Sequence, residues 1–261
     1  MSEDSLLKKV ARDPGRALSV LAHKCLTPIG HKGYKRFVVL TRDRTGSNML
    51  IQMLNSHPHI AADYEVFGKL FGNSEQEILD KTFSRQPFFI KAKGFKIFYY
   101  HPQDAENSSI WQTLEEMDGL YVIHLKRRNI LHALVSSRVA YTTGVYGIRS
   151  DKEFSEYEKK LAPVTYSEAE LREGFEQTRG WEEEGDARFS HHPKITVYYE
   201  DLVNEPARVF REITDFIGVE FHAPKTDFRK QSARSTRGNL ANYDDLKSAF
   251  YDTPWQGFFD E

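Results

Sequence analysis

Phe37-Val38-Val39-Leu40 is a short apolar run that breaks at once into Arg42-Asp43-Arg44-Thr45-Gly46-Ser47-Asn48, and this break constrains the whole chain. An apolar run of that length bounded by a polar turn reads as a buried strand. Met49, Leu50, Met53 and Leu54 then recur at helical spacing, with Ser47 or Asn48 available as cap and His57-Pro58 as stop. Strand, glycine-containing turn and helix start together form an anion site, because free backbone N–H groups and the helix dipole point into the turn. Arg42, Arg44, Thr45 and Ser47 add charge and hydroxyl donors.

The usual nucleotide loop, Gly-x-x-x-x-Gly-Lys-Ser/Thr, would need glycine at Thr41 and lysine at Ser47. Here the nearest cation, Arg44, precedes Gly46, which disfavours Mg²⁺-assisted triphosphate binding. The Arg-Thr-Gly-Ser loop, followed by an apolar helix ending in His-Pro, resembles the 5′-phosphosulfate loop of sulfotransferases that use 3′-phosphoadenosine 5′-phosphosulfate (PAPS). The resemblance implies that Arg42, Arg44, Thr45, Gly46, Ser47 and Asn48 bind that co-substrate, with Arg44 also acting on the leaving phosphate.

Further along, Leu120-Tyr-Val-Ile-His-Leu125 reads as a strand, Lys126-Arg127-Arg128-Asn129 as a basic turn, and Ile130 to Ala140 as a helix. An Arg run at a helix start is electrostatically unfavourable without an anion. Arg128 followed eight residues later by Ser136 resembles the 3′-phosphate site of the same family, with two helical turns bringing the pair together. Tyr199-Glu200-Asp201-Leu202 after the strand Lys194–Tyr199 is similar to another family hallmark. Tyr199 is placed either to stack on adenine or to pack, and Glu200 to anchor the turn. Arg237-Gly238 resembles a weakened version of the Arg-Gly segment that closes on the 3′-phosphate, although no Gly-x-Trp-Lys follows.

Two residues contend for the proton-accepting role. Glu65 lies just downstream of the anion loop and can face the same cleft, or it is a solvated surface carboxylate. His101 ends the expected strand Gly94–Pro102, and Lys96 within it is a candidate for the sulfuryl oxygens or the acceptor. The resemblance to carbohydrate sulfotransferases, which carry a glutamate shortly after the His-Pro, ranks Glu65 first. His57, His59 and Asp63 hint at a metal, but nothing nearby completes a ligand set, so no metal is expected.

At 261 residues and 39% hydrophobic, the chain is long enough for one sizeable core. A net charge of -2 gives no blanket attraction to nucleic acid or anionic membrane, so anion binding must be local. Cys25 stands alone, which fits a reducing compartment, and Ala17–Ala22 is too short to span a bilayer. These point to a cytoplasmic protein with no stable membrane insertion.

The expected organisation is a helical lead-in over 1–35 and a sulfotransferase domain over 36–261. Within it, the polar stretch 141–165 is an expected lid, and 221–242, with Arg229, Lys230 and Arg234, an expected cofactor-closing loop. The fold class implied is α/β, a single domain with a central parallel sheet flanked by helices, in the layout of P-loop kinases. The activity implied is sulfuryl transfer from PAPS to a carbohydrate or glycolipid hydroxyl, or to a small-molecule one, by a monomer or homodimer. A nucleoside or small-molecule kinase and a non-catalytic module binding the bisphosphate product are the rival readings.

Overall fold

The computed structural model describes residues 29–146, 151–226 and 235–260. Most of the expected helical lead-in, Cys25 and the tail cations Arg229, Lys230 and Arg234 lie outside the described residues.

Five strands form one parallel sheet in the order β2-β3-β1-β4-β5: β1 is Lys35–Thr41, β2 Ile60–Asp63, β3 Ala92–Phe98, β4 Leu120–Lys126 and β5 Lys194–Tyr198. β1 is central, and the chain builds outward from it first to one side and then to the other. The crevice at its carboxyl end is therefore the topological switch point where open α/β sheets hold ligands. Helix α1 (Ser47–Asn55) leaves from there, α2 (Glu75–Thr82) and α3 (Ile110–Glu115) flank β3, and α4 (Ile130–Thr143) follows β4. α5 (Asp151–Lys160) and the long α6 (Glu168–Arg188) precede β5, and α7 (Tyr199–Asn204) and α8 (Pro206–Phe216) follow it. Two short helices, α9 (Thr236–Asn239) and α10 (Tyr243–Ala249), end the chain with a 3₁₀ turn at Gln256–Phe259.

Alternation along β1 divides the core. Phe37 and Val39 pack with Leu50, Met53 and Phe210 on one face, whereas Val38 and Leu40 pack with Phe95, Ile97 and Phe189 on the other. A third cluster joins α4 and α6 to the tail through Leu131, Phe175, Leu246 and Phe250. On β3 the period of two puts Lys96 on the same face as α1, beneath the loop.

Several expectations change. α1 begins behind Gly46 in a left-handed conformation (φ 78°) with no side-chain cap, so neither Ser47 nor Asn48 caps it. β3 stops at Phe98, three residues short of His101, whose N–H turns back to the Phe98 carbonyl (2.9 Å). Within the stretch 141–165, residues 141–143 finish α4 and residues 151–160 form α5. Phe154, Tyr157 and Leu161 recur at helical spacing and pack into the third cluster, an apolar stripe hidden among many charges. Asn242, just before α10, donates its amide to the Tyr166 carbonyl at 2.7 Å. Ser167 and Glu170 form a capping box at the start of α6, and Pro206 opens α8.

Gly94 sits opposite Phe37 across β3 and β1. A Cβ there would lie 2.2 Å from the Phe37 carbonyl oxygen and 2.4 Å from its ring, inside backbone that cannot yield without moving the central strand. Gly94→Ala is expected to destabilise the fold by ~1–3 kcal/mol, read as a lower urea midpoint at unchanged slope. A loss below about 0.5 kcal/mol would show that β1 and β3 separate easily.

Candidate active site

The loop after β1 is stiffened from within. Thr41 Oγ1 lies 2.6 Å from the Leu125 carbonyl and 2.6 Å from Thr45 Oγ1, and Thr45 also donates to the Arg42 carbonyl at 2.9 Å. Thr45 thus holds the loop's shape. Arg44 adopts φ 61°, which turns its side chain back over the loop, and Gly46 has the ring of Tyr199 packed where a Cβ would stand, 2.5 Å away. With α1 uncapped by any side chain, its first N–H groups face the crevice.

Arg42 is turned away from the crevice: it is buried, pairs with Asp43 at 3.2 Å and donates to Thr178 on α6. Arg44 donates from Nε to Ser136 Oγ at 3.0 Å and from Nη1 to the Tyr146 carbonyl at 3.0 Å. Arg127 donates to the Arg44 carbonyl at 2.9 Å and lies over the Tyr199 ring, 4.5 Å from its centroid. Its Nε is buried with no hydrogen-bond partner, the nearest carboxylate oxygen being Glu200 at 4.0 Å. Burial lowers the proton affinity of both Arg44 and Arg127, and Arg44 and Arg42 lower that of Arg127 further by repulsion.

Arg128 is engaged at the surface rather than at the loop. It makes a two-pronged pair with Asp201, both contacts 2.7 Å, and stacks over Tyr198 at 4.1 Å on a half-exposed surface. Ser136 therefore meets Arg44, not Arg128. Of the two consecutive arginines just beyond β4, Arg127 is the one that reaches the loop. Glu200 anchors the turn, accepting the backbone N–H groups of Arg128 (3.1 Å) and Asn129 (3.4 Å). Tyr199 packs on Gly46, and Arg237 pairs with Asp244 at 2.8 Å, away from the cavity lining.

The opposite wall carries Lys96, Glu65 and His101. Lys96 is 1% exposed, and its ammonium donates to Asn48 Oδ1 and sits 2.7 Å from Glu65 Oε1 and 3.4 Å from Ser47 Oγ. Burial lowers its proton affinity, the Glu65 carboxylate opposes that, and Arg44 adds to it. Glu65 itself is 40% exposed. Arg44, Ser47, Asn48, Glu65, Lys96 and His101 all line one cavity of about 380 Å³, together with Ser137, which sequence reasoning passed over for its neighbour. Ser137 donates to Asp43, whose carboxylate is the second acid in that cavity.

His101 is buried, and its Nδ1 accepts the Phe98 N–H at 3.3 Å, so the proton of the neutral ring resides on Nε2. His57 and His59 are likewise engaged, His57 Nε2 with the Glu220 carbonyl at 2.7 Å and His59 Nδ1 with the Phe89 carbonyl at 2.7 Å. Among the described residues no group of His, Cys, Asp and Glu has the makings of a metal site.

Burial pulls His101 down to about 4, with Glu65 opposing and Lys96 assisting. His124, buried under Tyr99 and Asp186, is pulled down to about 4 by burial and the adjacent Lys126, against the pull of Asp186. Both bind protons more weakly folded than unfolded, so their contribution is complete above pH 6.5 and is lost as pH falls toward 4. We expect stability to fall by ~2–4 kcal/mol per histidine across that window, measured as urea midpoints against pH. His124→Gln should flatten the slope; an unchanged slope would place the acid sensitivity elsewhere.

No family model matches the chain. Nodulation protein H of Rhizobium tropici is 27% identical over 238 residues, covering 86% of this chain and 92% of the relative. Nodulation protein H of Rhizobium meliloti strain 1021 is 26% identical over 256 residues, covering 92% and 98%. Among solved structures, a sulfotransferase from Alicyclobacillus acidocaldarius superposes with a TM-score of 0.53 at 14% identity, covering 86% of this chain and 93% of that one. The fold is thus the one this sulfotransferase adopts, and the chain is similar to nodulation protein H over most of its length, with the Arg-Thr-Gly-Ser loop at the switch point of the sheet.

Proposed function

We propose that the protein transfers a sulfuryl group from PAPS to a hydroxyl of a carbohydrate or glycolipid. One observation carries the reading: the uncapped loop with Arg44 and the acid wall with Glu65 face each other across a single cavity. PAPS fits the donor side by its chemistry. Arg44 and Arg127 are buried cations packed together, Arg127 retains a buried Nε without a hydrogen-bond partner, and the first turn of α1 offers backbone donors. Like charges so placed are stabilised by an anion between them.

The phosphosulfate supplies an activated sulfuryl group when bound. The loop amides and Arg44 stabilise charge on the departing phosphate oxygen. Lys96 faces both Glu65 and the loop, a position from which its ammonium neutralises the oxygens of the migrating group. Glu65 takes the hydroxyl proton as the acceptor oxygen bonds to sulfur and the sulfur–phosphate oxygen bond breaks. Glu65 is favoured over His101, since His101 presents a proton-bearing Nε2 and holds additional protons weakly. For the far phosphate we favour Arg127, with Arg128 held at the rim by Asp201.

The first test is binding: adenosine 3′,5′-bisphosphate should raise the melting temperature, and ATP with Mg²⁺ should not. The reverse result would support a kinase. Arg127→Ala removes a charge-assisted contact worth roughly 1.5–3 kcal/mol and should weaken the bisphosphate about tenfold or more, with a smaller effect from Arg128→Ala. Calorimetry giving the opposite order would return the phosphate to Arg128. Glu65→Gln retains an oxygen for Lys96 and should leave bisphosphate binding within a few fold while radiolabelled sulfuryl transfer falls by about 10²–10⁴. Near-normal transfer by this variant alongside an inactive His101→Asn would move the base to His101.

A further inference from the structure

Phe71 is the most conspicuous residue at this cavity that the reaction does not use. It lines the cavity yet is 81% exposed, and its backbone is left-handed at φ 52°. That conformation is an outlier for a bulky residue and persists only where surroundings impose it. They do so here. Asp104 accepts the backbone N–H groups of Leu70 (2.7 Å) and Phe71 (2.9 Å), and Gln103 N–H donates to the Gly68 carbonyl at 3.1 Å. Asn73 closes the turn, its backbone N–H and side-chain amide both donating to the Leu70 carbonyl at 3.0 and 2.7 Å. Fixing a strained backbone in order to hold a phenyl ring in water gains nothing for folding.

Across the cavity Tyr141 and Tyr146 pack edge to face, centroids 5.8 Å apart, and remain 65% and 54% exposed. Depth is graded: Lys96 at the floor is 1% exposed, the Glu65 side chain 40%, and Phe71 81%. A molecule whose hydroxyl reaches Glu65 must therefore pass these rings on its way out. The remaining lining mixes polar groups such as Asp43, Asn48 and Gln103 with Phe98, Tyr100 and Ala140. Rings set among carboxylates and amides suit a ligand with apolar ring faces edged by hydroxyls.

From this we infer that Phe71 is a specificity-determining residue: a platform that stacks on a second sugar ring of the acceptor, beyond the ring that carries the reacting hydroxyl. Its preferred acceptors are then oligosaccharides over monosaccharides. The inference rests on the sulfuryl-transfer reading, because that reading makes the cavity an acceptor site.

The test uses the full chain saturated with adenosine 3′,5′-bisphosphate, and titrates it by calorimetry and saturation-transfer NMR with glucose, N-acetylglucosamine and their β-1,4-linked tetramers. At least one tetramer should bind about tenfold more tightly than its monomer, the range expected for a stacked ring. Phe71→Ala should erase that advantage and leave the monomer's weak affinity as it was, whereas Phe71→Tyr should keep it. Equal binding of tetramer and monomer to the wild type, binding of neither, or a tetramer preference that survives Phe71→Ala would each overturn the platform. Bisphosphate binding is read first in the same cells: its loss from the wild type would defeat the sulfuryl-transfer reading, whereas its presence without a tetramer preference defeats only the role of Phe71.

Discussion

A buried ammonium holds the site together. Lys96 lies in the middle of β3, surrounded by a fully buried strand, and an isolated charge there would be costly. Its partners make it tenable and also connect three separate segments: Asn48 and Ser47 at the start of α1, and Glu65 beyond β2. Lys93, three residues earlier and on the opposite face of the strand, also meets a carboxylate, Asp63 at 2.6 Å. Two acids after α1 are thus registered against two lysines of β3. Because β2 is a four-residue edge strand, these pairs do more than its ladder to fix where Glu65 points.

The donor side follows a contrasting rule. Arg44 and Arg127 are desolvated side by side, Arg42 is buried next to them, and the carboxylates nearby are already committed to Ser137, Arg42 and the backbone of the basic turn. A polar network that leaves a buried guanidinium nitrogen unsatisfied costs stability, and such a deficit is what a bound anion would remove. The acceptor side satisfies its buried charge internally, while the donor side does not. This asymmetry is a physical reason for the donor to bind first.

Much of this was legible in the residues. The strand, turn and helix at 37–54, the strand ending at Leu125, the capping box at Ser167 and the helix from Pro206 were marked by apolar period and by terminal residues, both local signals. What escaped depended on contacts distant in sequence. β2 is too short and α3 too brief to have a period of its own, and the apolar stripe of α5 becomes visible only against α4 and the tail. The choice between Arg127 and Arg128 hinged on where β4 ends, a matter of one residue. Asp201, 73 positions away, captures the exposed arginine, and no spacing rule reaches that far.

Phe71 and Glu65 share one loop, and this ties recognition to chemistry. Gly68 N–H donates to the Glu65 carbonyl, the Gly68 carbonyl is held by Gln103, and Asp104 holds the two residues that follow. A force on the Phe71 ring is therefore transmitted through six residues of pinned backbone to the carboxylate beside Lys96. An acceptor that seats a ring on Phe71 would stiffen the segment bearing Glu65 beyond what Lys96 and these backbone bonds already do. Binding energy from a remote ring is then available to order the reacting groups, so selectivity between acceptors would appear in kcat as well as KM.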